Sequence, residues 1–483
     1  MIQLGQRFRL SPPSLLARVI PTKVTHRSLR NLSILSIVLV LLIIAMQGEQ
    51  SDVIMFSRPF TPGNAVSFNY LNDIAYHDVL LALQRQRYLA WQRQFSVKKS
   101  PVTRKNTSAI PVSTDLTLST EVVQTAAGPE QISMLNIDLT SPVLRLGVVQ
   151  AHNRLISPAE TLSSMANRTG AVAGINGDFF EIHGSNVPLG EEVINSQLLH
   201  SPSPQFYAVL GVTSTGRLTI RPEYFSGEVR DGHASYLLYS INHYSQINNG
   251  RLVLFTPALG EPVYVGGDPV AYIQPVAGSA NLFTVQAVYS SVAWLPALSG
   301  RDVLVGSGDA AYWLATTLHK GDRITVTERV FPDPGLSQAI GGGPQVVKQG
   351  VYYDDPYLPA PAYHYSRDPQ TAVGVTRDGN HALFAVFDGR FAGPWRSRGM
   401  TYTEVASFMI AHGAYNAILM DSGGSSEMVA RFPGQHAVSV VNWPSGGYER
   451  PVANGLFIYY SDLAQLAAAL RIDRLKHIYS GSH

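Results

Sequence analysis

Hydrophobic residues along this chain follow three patterns, and each predicts a different structure. From Leu32 to Met46 the residues are almost all aliphatic and uncharged, which is typical of a segment that enters a membrane. From Asn72 to Val97 apolar residues recur at helical spacing, which predicts a second helix. Beyond Asp115 short β-rich runs alternate with Gly, Pro and Asn, which predicts many strands joined by tight turns. These runs include Phe206 to Val212, Leu252 to Phe255 and Arg323 to Glu328.

One part of the strand-rich region predicts a βαβ unit. Leu383 to Phe387 and Ala417 to Met420 are apolar enough to be buried strands. Between them, Thr401 to His412 carries a helical apolar stripe, starts with the residue pair of a capping box and is followed by a glycine in the C-cap position. Two strands joined by one crossover helix run in the same direction. We therefore expect the residues just past each strand, Asp388 and Asp421, at one edge of a sheet, where α/β proteins hold ligands.

The patterns divide the chain into five parts. We expect a basic tail over 1–31, a transmembrane signal anchor over 32–48, a juxtamembrane helix and linker over 49–114, a catalytic domain over 115–461 and a closing helix over 462–483. The expected fold class is α/β (α+β), a strand-rich mixed sheet that contains the βαβ unit. A membrane helix and a juxtamembrane helix precede this domain.

The charge distribution indicates an exported protein. The first thirty residues hold six Lys and Arg and no acid, while the whole chain has a net charge of only +2. Positive charge before an apolar run predicts a cytoplasmic tail and an extracytoplasmic domain, periplasmic or extracellular. An uncleaved anchor is favoured over a signal peptide because no small-x-small pattern follows. Since the basic surplus belongs to the tail, the main domain lacks the footprint of a nucleic-acid binder.

Composition adds two constraints. Hydrophobic residues make up 45% of the chain and charged residues 14%, which is typical of a globular protein. There is no cysteine, so even in an oxidising compartment packing alone must stabilise the fold.

Three aspartates follow predicted buried strands. Val172 to Ile175 ends in Asn176-Gly177-Asp178, as the strands of the βαβ unit end at Asp388 and Asp421. Asn-Gly-Asp by itself can be only a tight turn. Three carboxylates at strand ends favour a catalytic site instead. Glu404 is a fourth candidate, although the capping box already explains it.

Glycine-rich segments offer two further interpretations. Gly341-Gly342-Gly343 could be an anion cradle or a flexible loop, and no P-loop Lys-Ser/Thr follows it. Asp421-Ser422-Gly423-Gly424 contains a string found in serine proteases. No histidine occurs in a context typical of those enzymes, so a serine hydrolase with Ser422 as nucleophile is a minor alternative.

Cations, aromatic residues and metals complete the candidate chemistry. Arg390, Arg396 and Arg398 follow Asp388 closely and could bind phosphate or be solvated loop charges. Clustered acids could hold Ca²⁺ or Mg²⁺ with Asn176 and Asn454 as additional ligands, although no spacing identifies a metal. Trp395 and the loop from Tyr352 to Tyr365 could stack on sugar rings.

Several segments in order resemble the phosphodiester glycosidase family. They are Ile175 to Phe180, Val303 to Gly306, Ile340 to Pro344, Thr371 to Gly374, Asp388 to Arg390, Gly399 to Glu404, Leu419 to Ser426 and Val452 to Asn454. The resemblance implies hydrolysis of a sugar-1-phosphodiester in glycan or exopolysaccharide metabolism, with Asp178, Asp388, Asp421 and Glu404 as catalytic candidates. It implies substrate contacts from Asn176, Gly342, Gly343, Thr371, Arg390, Gly423, Gly424, Ser425 and Asn454.

Two residues depart from the family pattern. Gln370 stands where the family usually has Arg, and Ser422 replaces a Gly. If the missing Arg binds phosphate, Gln370 cannot supply its charge, although Arg367 could compensate. The alternative is therefore a non-catalytic glycan-binding or exopolysaccharide assembly protein with the same fold.

Overall fold

The computed structural model describes residues 103–202, 208–232, 234–243, 250–355 and 366–461. The chain divides into Met1–Ala75 and Tyr76–His483, and all described residues belong to the second unit. The basic tail, the expected anchor over 32–48, the helix over Asn72 to Val97, the closing helix over 462–483 and most of the Tyr352 to Tyr365 loop lie outside the described residues. Within the described ranges no helix has the length and apolarity to cross a bilayer.

Strands dominate the described residues. Those before Tyr224 are β1 (Thr103–Pro111), β2 (Leu116–Thr125), β3 (Gly128–Asp138), β4 (Leu144–Gln150), β5 (Ala173–Asn176), β6 (Glu192–Ile194), β7 (Gln197–His200), β8 (Ala208–Thr213) and β9 (Leu218–Pro222). The next group is β10 (Tyr224–Asp231), β11 (Ala234–Ile241), β12 (Leu252–Phe255), β13 (Val263–Pro275), β14 (Leu282–Leu295), β15 (Asp302–Gly306) and β16 (Arg323–Phe331). The last group is β17 (Leu336–Gly342), β18 (Gln345–Lys348), β19 (Val351–Tyr352), β20 (Gln370–Thr376), β21 (His381–Phe387), β22 (Ala414–Leu419), β23 (Met428–Ala430), β24 (Ser439–Val440) and β25 (Asn454–Tyr460).

Three α-helices accompany these strands in the described ranges. They are α1 (Leu162–Thr169), α2 (Asp309–Thr317) and α3 (Tyr402–Ala411). Helix α3 begins with the predicted capping box, in which the Thr401 hydroxyl accepts from the Glu404 N–H and the Glu404 carboxylate accepts from the Thr401 N–H. The glycine after the helix, Gly413, has a φ of 94°, as expected for a helix that stops in the left-handed conformation.

The site is built on layered sheets. The described strands give one sheet in the order β1-β2-β3-β21-β20-β22-β18-β19 and two five-stranded sheets, β7-β6-β17-β8-β9 and β24-β23-β5-β25-β4. Apolar residues from the large sheet and from both smaller sheets share one core. Helix α3 packs on the other face of the large sheet, and α1 packs on the sheet that contains β5 and β25. Strand β21 therefore buries both faces, with Phe384 in one core and Phe387 in the other.

The βαβ prediction gave the relative direction of the two strands correctly, but it was wrong that they are neighbours in the sheet. Strands β21 and β22 point the same way, but β20 lies between them and pairs antiparallel with both. All neighbouring strands of this sheet are antiparallel, so the expected mixed sheet is not found there. The crossover helix skips one strand position, and the ends of β21 and β22 still meet at one edge.

A closed barrel lies between β9 and β17 in the chain, and no local sequence pattern predicted it. Its described strands follow the order β10-β11-β12-β15-β13-β14-β16, with its own apolar core. Short alternating runs predict strands, but the closure of a sheet depends on long-range pairing that local patterns do not encode.

Strand β1 corrects the expected linker over 49–114. Thr103–Pro111 pairs antiparallel with β2 at the edge of the large sheet. Its described side chains, from Ser108 to Ile110, are exposed, and its last residue is Pro111. Polar residues and a terminal Pro led to the prediction of a linker, yet they are also typical of an edge strand.

Candidate active site

Residues from two layers meet where their strands end. Gln370 at the start of β20 pairs with Phe387 at the end of β21, so Asp388 follows at this edge. The end of β5 joins it, because the Thr371 hydroxyl donates to Asn176 Oδ1 at 2.7 Å. The backbone N–H of Asp421 donates to the Gly177 carbonyl at 2.9 Å. The three predicted segments are thus connected by hydrogen bonds.

Asp178 is a buried carboxyl held from two sides. Its backbone N–H donates to Asn454 Oδ1 at 2.9 Å, and its Oδ2 accepts from the Gly190 N–H at 2.6 Å. Its Oδ1 is buried and accepts no hydrogen bond from the described residues. Burial raises the pKa of Asp178 well above its usual range, and the charges of Glu192 and Asp421 add to this effect. Burial therefore favours the protonated form of Asp178.

Two glycines make room for the Asp178 carboxyl. A Cβ on Gly341 would lie 2.6 Å from Asp178 Oδ2, and a Cβ on Gly190 would lie 2.9 Å from the same atom. Gly190 is fixed in turn by His200, whose Nδ1–H donates to the Gly190 carbonyl at 2.6 Å. His200 stacks on His243 with ring centroids 3.6 Å apart. Burial lowers the pKa of both imidazoles, so this support is neutral.

Asp421 is the partly exposed carboxylate of the site. Its Oδ1 accepts from the Ser422 N–H at 2.8 Å. Burial raises its pKa to about 6, and the Ser425 hydroxyl, the Ser422 amide and the Arg450 charge act in the opposite direction. The two carboxyls thus have different environments, because Asp178 is enclosed whereas Asp421 is partly exposed and is lowered in pKa by several neighbours, and such a difference favours separate acid and base roles.

Asp388 is connected to the loop that follows Asp421 through Asn442. Its Oδ1 accepts from the Trp443 N–H at 3.0 Å and from Asn442 Nδ2 at 3.4 Å. The same Asn442 amide donates to the Ser426 carbonyl, which ties Asp388 to the loop after Asp421. Asp388 Oδ2 is buried without a partner among the described residues. Burial raises the pKa of Asp388 to about 7, while the bonds from Trp443 and Asn442 lower it.

Two guanidinium groups lie on consecutive glycines of this loop. A Cβ on Gly423 would lie 2.7 Å from an Nη atom of Arg390, and a Cβ on Gly424 would overlap the guanidinium of Arg450. Arg390 is half-exposed and donates from Nε to Asp368 at 3.0 Å. A side chain at either glycine would displace one of these guanidinium groups, and Gly423 also has a φ of 66°, which favours glycine.

The anion-cradle interpretation of Gly341-Gly342-Gly343 is wrong. Gly341 and Gly342 belong to β17, and the Gly341 N–H donates to the Glu191 carbonyl at 2.7 Å. The Gly343 N–H donates to the Leu419 carbonyl at 2.8 Å. A Cβ on Gly342 would lie 2.7 Å from that same carbonyl. This segment is glycine-rich because strands and Asp178 pack against it, and two of its three amides are used within the protein.

Three residues expected to contact substrate instead position the aspartates. Asn176 Nδ2 donates to the Asp421 carbonyl, and its Oδ1 accepts from Thr371 and from the Glu427 N–H. Asn454 accepts from the Asp178 N–H and donates to Glu192. All three side chains are buried. The amide oxygens of Asn176 and Asn454 are therefore not free to serve as the metal ligands considered above.

Glu404 is engaged in structural contacts. Its Oε2 accepts from the Thr401 N–H, and its Oε1 accepts from Arg367 at 2.5 Å. Arg367 also lies 3.8 Å from Glu130 and donates to the Gly399 carbonyl. These contacts change two expectations, that Glu404 is catalytic and that Arg367 compensates for Gln370. Glu404 has its oxygens occupied, and Arg367 is not available to replace the charge missing at Gln370, whose buried Oε1 has no partner among the described residues.

Other candidates receive less support. No hydrogen bond between described residues joins the Ser422 hydroxyl to a histidine. No group of three or more His, Cys, Asp or Glu side chains in the described ranges is arranged to hold a metal ion. Ser425 is buried, and its hydroxyl lowers the pKa of the Asp421 carboxyl.

Sequence reasoning missed Arg450, Trp443 and His200. Arg450 lies two residues before the Val452-Ala-Asn454 segment, and a lone arginine in a loop gives no local indication of its target. His200 reaches the site only through the pairing of β6 with β7. Trp443 contributes its backbone N–H, which every residue but proline has.

The strand edges thus bring the carboxyls and two guanidinium groups into one candidate site. Residues 294–459 match the family model described as phosphodiester glycosidase, which confirms over these residues the resemblance recognised in the sequence. Asp388, Asp421, Arg390 and Arg450 lie within the matched residues, whereas Asp178 precedes them.

Individual relatives are distant. The SPbeta prophage-derived protein YomE of Bacillus subtilis is 35% identical over 96 residues, which cover 20% of this chain and only 13% of that protein. A Synechocystis crystal structure has a TM-score of 0.62 at 18% identity, covering 75% of this chain and 68% of its own. A Burkholderia pseudomallei structure has a TM-score of 0.55 at 22% identity, covering 68% and 74%. These two likenesses establish the fold alone.

Proposed function

We propose that this protein is an exported hydrolase that cleaves a sugar-1-phosphodiester in glycan or exopolysaccharide metabolism. The observation that carries the proposal is the position of Asp421. The Arg450 charge lowers the pKa of its carboxyl, and Asp421 lies in the loop whose two glycines contact the guanidinium groups of Arg390 and Arg450. Two guanidinium groups suit the two non-bridging oxygens of a phosphodiester. Asp421 would then lie near the anomeric carbon.

The reaction proposed is water attack at that carbon. The water oxygen forms a bond to C1, the bond from C1 to the phosphate oxygen breaks, and the phosphate monoester leaves with the bonding electrons. The water proton passes to Asp421, which is ionised above a pKa of about 6. Protonated Asp178 and Asp388 would donate hydrogen bonds where charge develops.

The proposed partner of this protein is a carbohydrate or sugar-phosphate substrate, and no nucleic acid is proposed. Carbohydrate or sugar phosphate is expected because the cationic groups are few and local, and nucleic-acid binders need an extended basic surface. Membrane attachment through the segment 32–48, with the domain in the periplasm or outside the cell, remains part of the proposal. It rests on the sequence, because that segment lies outside the described residues.

A turnover assay with the full-length protein tests this function. Methyl phosphodiesters of α- and β-linked hexose-1-phosphates and N-acetylhexosamine-1-phosphates are incubated with the protein, with and without EDTA. Release of methyl phosphate and free sugar supports C1–O cleavage, whereas release of methanol would show that the other ester bond breaks. Loss of turnover with EDTA would reveal a Ca²⁺ or Mg²⁺ requirement. A folded protein that releases nothing from any member contradicts the proposal.

One observation favours the second candidate, a non-catalytic glycan-binding or assembly protein. Gln370 occupies the position where the family usually has Arg, and Arg367 is already paired with Glu404. A protein that binds these diesters without turnover, before and after Gln370→Arg, would support this alternative. Covalent labelling of Ser422 by a fluorophosphonate would instead support the serine hydrolase.

A further inference from the structure

We propose that an aromatic rim beside Asp388, formed by Phe391, Trp395 and Trp443, binds the sugar ring of the substrate. The proposal deepens the function above and rests on it. All three side chains are exposed, by 54%, 41% and 51%. Phe391 and Trp395 belong to the loop whose Gly393 lies against Trp443, and adjacent exposed apolar side chains are typical of a binding surface.

Trp443 is tied directly to the candidate chemistry. Its backbone N–H donates to Asp388 Oδ1 at 3.0 Å. Its indole packs against Gly393, where a Cβ would lie 2.8 Å from the Trp443 Cγ. One side of the ring is therefore covered by backbone, while about half of the side chain remains exposed. The result is a fixed aromatic platform next to a carboxyl group.

Phe391 is held in a strained but well-supported loop. Arg390 and Phe391 have φ angles of 54° and 64°, which are unfavourable for large side chains. The loop is closed by the Phe391 N–H, which donates to the Ser397 carbonyl at 2.7 Å. The Ser397 hydroxyl in turn accepts from the Gln131 N–H at 2.9 Å. Strain maintained by such contacts is typical of functional sites.

The surroundings of the rim favour a sugar ring over a lipid chain. A pyranose has an apolar C–H face that stacks on aromatic rings and hydroxyls that need polar partners. Next to Trp443 lies the Asp388 carboxyl, whose Oδ2 is buried and has no partner among the described residues. The guanidinium groups of Arg396 and Arg398 lie over the Phe391 ring, 5.7 and 5.6 Å from its centroid, and would donate hydrogen bonds to sugar hydroxyls at the edge of that ring. The phosphate would then lie towards Arg390 and Arg450.

Binding titrations on the full-length protein test the rim. The probes are methyl α-glucose-1-phosphodiester, which has a ring, and dimethyl phosphate, which has none. The variants are Trp443→Ala and Trp443→Phe, and both keep the backbone N–H that holds Asp388. Trp294→Ala is the matched control, because Trp294 is 62% exposed on the barrel and packs against Tyr264.

We expect Trp443→Ala to weaken the sugar diester about tenfold, the size of one aromatic contact, and to leave dimethyl phosphate binding unchanged. Trp443→Phe should retain most of the affinity, and Trp294→Ala all of it. Equal affinity of Trp443→Ala and wild type for the sugar diester would overturn the proposal. So would equal losses for both probes, or wild-type protein that does not prefer the sugar diester. Turnover is measured separately, so an inactive protein that shows the expected binding contradicts only the hydrolase.

Discussion

The guanidinium of Arg450 lies over Gly424 so closely that a Cβ at that position would overlap it. The same arginine acts electrostatically on Asp421, three residues earlier in the loop. Gly424 does not have a positive φ, so what a side chain at this position would disturb is the placement of the neighbouring arginine. The contact gives a structural reason for a glycine at this position, which the sequence shows only as part of the Gly423-Gly424 motif.

Replacing that glycine should displace the arginine. We expect Gly424→Ala to raise KM for a sugar phosphodiester by a factor of about ten or more, since a charge-assisted contact contributes about 1.5–3 kcal/mol. Gly335→Ala is the matched control, because a Cβ there meets nothing within 4 Å and its φ is not positive. Steady-state kinetics on both variants checks the expectation. Unchanged KM in Gly424→Ala would show that Arg450 does not contact substrate.

Glu404 should prove to be a stability residue. Glu404→Ala removes one half of the capping box and leaves Arg367 without its closest acid. We expect the free energy of unfolding to fall by about 2–4 kcal/mol, because a cap and a buried ion-pair partner are lost together. Urea denaturation measures the loss, with turnover per folded molecule nearly unchanged. A large fall in kcat with an unchanged free energy of unfolding would instead indicate that Glu404 is catalytic.

Asp388 should make stability depend on pH. Its pKa rises from 3.8 to about 7 on folding, so the folded state retains a proton that the unfolded state loses. Its contribution is fully present below about pH 4 and disappears as pH rises through about 7. Asp388→Asn cannot ionise and should therefore be the more stable protein at pH 8, by at most about 4 kcal/mol, with little difference at pH 4.

Chemical denaturation of both proteins at the two pH values checks this sign. Glu130 and Glu192, whose pKa values burial raises to about 7, should give both proteins a shared loss of stability at high pH. The informative quantity is therefore the difference between wild type and variant. A variant that is less stable at pH 8 would show that Asp388 is ionised and stabilising in the folded protein.

Turnover should also depend on pH through Asp421. The base must be ionised, so kcat/KM should rise as pH increases through about 6. Ionisation of Asp388, with a pKa of about 7, should lower the rate again if its proton is used. The pH profile of wild-type protein tests both limbs. A rate that is constant between pH 5 and 7 would exclude Asp421 as the base.

Local patterns in the sequence predicted local features well. The capping box at Thr401, the helix stop at Gly413 and the strand Leu252–Phe255 depend on contacts between near neighbours. The position of Asp388 and Asp421 at one edge required only the direction of two strands. Such features follow from periodicity and end groups within one segment.

Features built from distant segments were not predicted. Three such features join residues that are far apart in the chain: the closed barrel, the position of β20 between β21 and β22, and the contact of the Arg450 guanidinium with Gly424. The glycines at 341–343 were misread for the same reason, since the carboxyl they accommodate, Asp178, lies in another layer. A polar residue in a motif also does not reveal its partner, and Asn176 and Asn454 bond to protein.

The central claim is that Asp421 acts on a sugar phosphodiester bound by Arg390 and Arg450. The most direct test compares kcat and binding for wild type and Asp421→Asn, which keeps the shape of the side chain but removes the base. We predict a fall in kcat of about a hundredfold or more, with the diester still bound and the fold intact. Wild-type kcat in Asp421→Asn would contradict the account.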